Sequence, residues 1–277
     1  MKLIKPSYQI IDQPVGLDGI YQQIEIAGRT CYRSQRPEGQ TAKDFVDRMI
    51  ASKHYAMLEH GTVYLKIGVD VIDAYDSEDG YCDIPIYNYE KYSSNPYSKV
   101  LVINSCCYVT TNYRVLVENG WLDDLQYLCE PTEFHERRVT VRFTADIHFY
   151  KDITRHRVMS WAIESTRFCN YMKEKFGMSV SFMKPTWIKE EDVTELEEDC
   201  RIIESIYFKW INKGYQAQHA AYFLPQGTKA EVVMTGFQSD YSHFFDLRAR
   251  GTTGAPHPDV SALAEPLMNE FYSKWLL

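Results

Sequence analysis

The sequence predicts an α+β chain, because two different periodicities coexist in it. Val139, Val141 and Phe143 alternate with Thr140, Arg142 and Thr144, the period-two pattern of a half-buried strand. Val63, Leu65 and Ile67 alternate with Tyr64 and Lys66 in the same way. From about Glu191, by contrast, Val193, Leu196, Cys200, Ile203, Tyr207 and Trp210 recur every three or four positions until Gly214, which is the spacing of an amphipathic helix with a glycine stop. With 277 residues, 45% hydrophobic and 25% charged, the chain can bury a substantial core as one large domain or two small ones.

The remaining elements follow in order. Ile24, Ala27 and Cys31 share one helical face, and a second helix is expected over 41–53 with Phe45, Met49 and Ile50 inward. A strand is expected over 60–68. The stretch 69–137 mixes an acidic, tyrosine-rich loop, a short strand (KVLVINS) and a helix near TTNYRVLVENG that Gly120 ends. After the strand beginning at Arg138, a helix over about 147–154 leads to Arg155. Residues 180–183 read as a short strand ended by Pro185. Later come a short helix over 216–224, a strand (AEVVMTG) and a helix over 238–249. A last helix carries Val260, Leu263, Leu267, Phe271 and Trp275, with Pro266 expected to kink it or to lie in its first turn.

Composition narrows the function classes. A net charge of −8 disfavours broad nucleic-acid binding, which needs a basic footprint. No window approaches the roughly 20 apolar residues of a membrane span. The first residues, MKLIKPSYQIIDQ, lack the apolar run and small-residue cleavage site of a signal peptide. A cytoplasmic protein is expected. The seven cysteines form no CxxC pair and no Cys/His cluster with zinc spacing, so no metal is expected and the thiols read as reduced and mostly buried.

Against that acidic background stands RHRVMSWAIESTRF, in which Arg155, His156 and Arg157 are followed by Glu164, Ser165, Thr166 and Arg167. Guanidinium groups are permanently charged planar forks that match phosphate geometry, so the segment suits a polyanion. The alternative for the basic triplet is a solvated helix terminus, and for Ser165 a cap or turn residue. Ser165 could also be a nucleophile, although no His/Asp pair is placed by sequence to activate it. His60, in LEHGT, and the run Ser242-His243-Phe244-Phe245-Asp246-Leu247-Arg248 are further candidates. Their alternatives are a hydrogen-bonded structural histidine and a surface pair of Asp246 with Arg250.

Arg-His-Arg, seven residues, then Ser resembles the signature of the flavin-dependent thymidylate synthases. Glu164-Ser165-Thr166-Arg167-Phe168-Cys169-Asn170-Tyr171 resembles the continuation found in their longer variety. The resemblance covers about 28–32, 58–62, 138–170 and 224–263. It implies one domain over 1–277 with a central, mostly antiparallel sheet flanked by helices and an insertion at about 69–137. It further implies FAD as cofactor, NADPH and methylenetetrahydrofolate as co-substrates, and reductive methylation of dUMP to dTMP in a homotetramer with shared active sites. Arg155, His156, Arg157, His60, Thr62, His243 and His257 would contact the flavin cofactor, with Glu164 among these contacts. Ser165, Thr166 and Arg167 would hold the nucleotide phosphate. Arg248 would meet the uracil, where an arginine stabilises negative charge developing on the pyrimidine, with Asp152 nearby.

Four positions at three places depart from the family pattern. Ala162-Ile163 stand where shorter members have Asn-Glu, so any contact of that Glu is absent or taken by Glu164. Ala221 stands where many members have an Arg that helps hold the phosphate. Asp152 stands where Gln or Glu is commoner. These departures leave open the same flavin–folate chemistry on another pyrimidine nucleotide, for example hydroxymethylation, or a catalytically silent flavin- or nucleotide-binding protein.

Overall fold

Strands β1 (Lys2–Ile4) and β2 (Ser7–Ile11) open the chain, followed by helices α1 (Gly16–Tyr32) and α2 (Ala42–Ala51). Next come β3 (Thr62–Gly68), α3 (Glu90–Ser93), β4 (Lys99–Ile103), β5 (Cys106–Asn112) and α4 (Tyr113–Asn119). The second half runs β6 (Arg138–Asp146), α5 (Ile147–Ile153), β7 (Ser160–Ile163), β8 (Ser181–Met183), α6 (Val193–Asn212), α7 (Ala217–Ala220), β9 (Lys229–Phe237), α8 (Gln238–Arg248) and α9 (Pro258–Trp275). This computed structural model describes residues 1–68, 89–103 and 106–275. Most of the expected acidic, tyrosine-rich loop, together with Cys82, lies outside the described residues. The chain divides into two units, one of Met1–Ile11, Ala27–Arg36 and Val139–Leu277, the other of Asp12–Ile26 and Pro37–Arg138.

In the first unit a four-stranded sheet has the order β2-β6-β9-β7, with β2 antiparallel to β6 and β7 antiparallel to β9. The alternation read in the sequence has its physical cause here. Val139, Val141 and Phe143 point from β6 into a core completed by Val232 and Met234 of β9, Phe244 and Phe245 of α8, and Val260, Leu267 and Phe271 of α9. Phe244, Phe245 and Phe271 are fully buried, and truncating a buried phenylalanine to alanine costs about 3–5 kcal/mol. At Gly236 a Cβ would lie 2.1 Å from the Met159 sulfur, so a side chain there would require Met159 to shift. A second cluster packs Cys200 and Tyr207 of α6 against Cys169, Tyr171, Val180 and Phe182. Beside it, β1 and β8 form a parallel pair.

The second unit holds the antiparallel sheet β3-β5-β4. Thr41 and Asp44 form a capping box that starts α2. Asn112 caps α4, and Gly120 ends it in the left-handed conformation at φ 71°, as the sequence predicts.

Two expectations change. The helix expected near TTNYRVLVENG begins only at Tyr113, because residues 110–112 end strand β5, whose near-complete burial leaves no alternation to see. The helix expected over 216–224 is α7 followed by a 3₁₀ turn at Ala221–Phe223. Of the two placements expected for it, Pro266 takes the interior of α9 and not the first turn. Pro258 occupies the first helical turn, where a missing N–H costs nothing.

Candidate functional site

α5 starts on Asp146, whose carboxylate accepts the Phe149 N–H at 2.7 Å, and ends at Thr154. The chain then turns through Arg155-His156-Arg157. The turn sorts its side chains sharply: both arginines are exposed, Arg155 with 75% of its side chain in solvent, whereas His156 is 6% exposed. Arg155 reaches Asp152 at 3.8 Å. The His156 carbonyl accepts the Trp161 indole N–H at 3.2 Å, which ties the turn to β7.

The buried imidazole is held by α8. Arg248 donates from Nε to His156 Nε2 at 3.2 Å, from Nη1 to Asp152 Oδ2 at 3.2 Å and from Nη2 to the Asp152 carbonyl at 2.7 Å. An arginine has no acceptor, so His156 Nε2 must present its lone pair and the ring is the neutral Nδ1–H tautomer. Burial, then the Arg248 guanidinium and His243, pull the His156 pKa down to about 4. The ring of His243 lies 5.5 Å from that of His156, and Phe244 lies 5.2 Å away. Positions 243 and 248 do not share a helical face by spacing, yet both reach His156. The surface pair also exists: Arg250 meets Asp246 at 2.6 Å.

Glu164-Ser165-Thr166-Arg167 leaves β7 as a turn closed by the Phe168 and Cys169 N–H groups on the Ser165 carbonyl. Here too the side chains sort. Arg167 and Phe168 are exposed, Ser165 and Thr166 half-buried, while Glu164, Cys169 and Tyr171 are buried. Glu164, expected among the cofactor contacts, points into the protein. Its Oε1 accepts from Arg33 at 3.3 Å, and its Oε2 accepts from Lys229 Nζ at 2.7 Å and from the Glu231 N–H at 3.1 Å. Lys229 also meets Glu231 at 2.7 Å. Against the upward pull of burial, Lys229 holds the Glu231 carboxyl below the usual carboxylate range. Burial pushes the Cys169 thiol up to about 11, with Glu164 adding to it, which fits a core thiol and no nucleophile.

Sequence reasoning missed Arg33, Lys229 and Glu231. The signal for two of them was present, since Lys229 and Glu231 stand two apart at the start of an apolar strand and so share a face. Ile163, at the position where Glu is expected in shorter family members, packs against the main core.

His257 immediately precedes α9, its Nδ1 accepting the Asp259 N–H at 3.3 Å and its ring 4.3 Å from that of His148. Ala221 begins the 3₁₀ turn before Leu224, beside an 86%-exposed Tyr222. His60 and Thr62 belong to the second unit, and both are buried. There the Gln13 side chain brackets the Thr62 backbone, accepting its N–H at 2.8 Å and donating to its carbonyl at 2.9 Å. Gly61 is needed between them: a Cβ would meet Ile20 and Ile24 at 2.7–2.8 Å.

The family profile described as "Thymidylate synthase complementing protein" matches residues 101–275. The chain belongs to that family. The matched span contains Asp152, Arg155, His156, Arg157, Ser165, Arg167, His243, Arg248 and His257, and leaves out His60 and Thr62. A flavin-dependent thymidylate synthase from Pyrococcus furiosus is 30% identical over 100 residues, which is 35% of this chain and 39% of that protein. Among solved structures, two of a UMP/dUMP methylase from Streptomyces cacaoi resemble the chain. The one bound with 5-bromo-UMP is 13% identical with TM-score 0.46, covering 99% of this chain and 92% of that one. The one bound with 5-bromo-dUMP is 12% identical with TM-score 0.47, covering 99% and 93%. As a member of the thymidylate synthase complementing family, the chain is thus an α+β protein with antiparallel sheets whose basic motif turns one face inward and the other to solvent.

Proposed function

We propose that this protein is a flavin-dependent thymidylate synthase, methylating dUMP reductively to dTMP. The observation that carries the reading is the three-donor grip of Arg248 on His156 and Asp152, one residue from two exposed arginines.

The donor set fits a flavin dinucleotide. Arg155 and Arg157 present exposed guanidinium groups suited to a diphosphate, and the exposed His243, its ring 5.5 Å from that of buried His156, offers a flat face next to that anion site. His257, His60 and Thr62 are proposed as further cofactor-contact residues. When bound, FAD supplies the redox chemistry, with NADPH as its reductant and methylenetetrahydrofolate as the carbon donor. The protein's part is positioning and charge. Ser165, Thr166 and Arg167 hold the nucleotide phosphate with hydroxyls, backbone N–H groups and one guanidinium. Arg248 already has its fork fixed by His156 and Asp152, so it reaches the pyrimidine without reorganising, and its charge offsets the negative charge that develops there. Neutral His156 holds its proton on Nδ1. The reading includes a cytoplasmic homotetramer with shared active sites. No helix among the described residues is long and apolar enough to cross a membrane.

Ala221 favours a second reading, the same chemistry on another pyrimidine nucleotide, because the cation many family members carry there is replaced by a methyl group. The test is direct. A yellow purified protein, bleached by NADPH and faster with dUMP, supports the synthase. Mass analysis of products from dUMP and related nucleotides identifies the substrate. A protein that binds flavin but is reduced by no nicotinamide is a binding protein, and one that takes up no FAD overturns the proposal.

A further inference from the structure

We infer that Glu164 is a positioning residue that presets the Ser165–Arg167 loop for a phosphate, an inference that rests on the proposed role of that loop. Glu164 cannot be a ligand contact itself. Its side chain is 0% exposed, and both oxygens are engaged by Arg33, Lys229 and the Glu231 N–H. A carboxylate would in any case repel a phosphate. What Glu164 does is fasten. Its own N–H donates to the Glu231 carbonyl at 2.8 Å, and the Ser165 N–H donates to the Cys31 carbonyl at 2.9 Å. The residues that open the loop are thus tied to β9 on one side and to the end of α1 on the other. At the far end, Cys169 and Tyr171 are buried in the second core cluster. Between these fixed ends only Ser165 to Phe168 reach solvent.

The charges fit this role. Arg33 and Lys229 balance Glu164 and Glu231, so the cluster is neutral. Lys229, at 7% side-chain exposure, is occupied inside and unavailable to an incoming anion. A buried ion pair is a poor source of stability, since apolar residues of similar volume often serve as well. Its directional bonds do fix geometry, and a loop that must place a hydroxyl, a guanidinium and N–H groups around one phosphate needs geometry.

The test compares dUMP with deoxyuridine, which lacks the phosphate, by calorimetric titration into the holoenzyme. The proteins are the parent, Glu164→Gln and the paired Glu164→Leu/Lys229→Met. The paired variant removes the buried ions together, so its melting temperature should return toward the parent's. Both variants should bind dUMP about ten- to a hundred-fold more weakly, with deoxyuridine affinity and flavin content unchanged. In turnover the loss should fall on KM rather than kcat. Ser165→Ala should cost less in the variants than in the parent, because the loop is already misplaced. Recovery of dUMP affinity together with stability in the paired variant, or equal weakening of nucleotide and nucleoside, would make Glu164 merely structural and overturn the inference. A parent that binds dUMP and deoxyuridine alike would instead refute the phosphate role of the loop, and the inference with it.

Discussion

Arg248 donates through Nε to Nε2 of His156 at 3.2 Å, across 92 residues of sequence. That single bond joins the C-terminal arginine to the middle of the Arg-His-Arg turn, fixes the imidazole tautomer and holds the guanidinium in one orientation.

Arg248→Lys should therefore damage chemistry more than folding. Lysine keeps a charge but has no Nε–H beside its head group and no planar fork, so it cannot hold His156 and both Asp152 oxygens together. Flavin should still bind, while single-turnover flavin oxidation by dUMP and methylenetetrahydrofolate should slow about ten- to a hundred-fold. Normal single-turnover rates would remove Arg248 from the pyrimidine site.

Arg155→Ala and Arg157→Ala should each lower flavin occupancy, because both guanidinium groups lie in solvent at the turn and carry no core load. Each lost charge-assisted bond should weaken FAD binding by about 1.5–3 kcal/mol, with melting temperature of the apoprotein unchanged. Unaltered flavin affinity in both variants would reassign the turn to a solvated surface.

Stability should fall in acid through His156. Its folded pKa is depressed to about 4 from 6.5, so between these values the unfolded chain binds the extra proton. Stability from this group is fully present above about pH 6.5 and is lost as pH falls toward 4, by up to about 3 kcal/mol. Urea unfolding at pH 7 and pH 4.5 measures it. His156→Gln should remove this part of the pH slope, and an unchanged slope would show that other groups carry it.

Much of the fold is legible wherever contacts repeat along the chain. β6 and α6 each press one periodic face on a core, so their patterns survive in the sequence. β1, β2 and β7 do not show, for a different reason. β1 and β7 are only three and four residues long, and their pairing comes from remote segments, Lys2 with Ser181 and Ser160 with Thr235. In the site, the basic turn and its companions on α8 were readable as motifs. The bonds of Glu164 were not, because Arg33 is 131 residues away and Lys229 is 65: Lys229 and Glu231 can be read as sharing a strand face, but no local pattern announces a bond of that span.

Ala221→Arg should tighten dUMP binding by about 1–3 kcal/mol if dUMP is the substrate and the position faces the phosphate. The position is half-buried in the turn after α7, with room toward solvent beside Tyr222. Calorimetric titration at fixed salt measures the change, since screening would blur it. Equal or weaker binding would point to a cation already in place, such as Arg167, or to a different nucleotide.

The turn after β7 separates fastening from display: Glu164, Cys169 and Tyr171 hold it from within, while Thr166, Arg167 and Phe168 are offered outward. Substitutions at the outward positions leave every anchor intact. If the turn holds the phosphate as proposed, point changes there would exchange one ligand preference for another without disturbing the buried anchors.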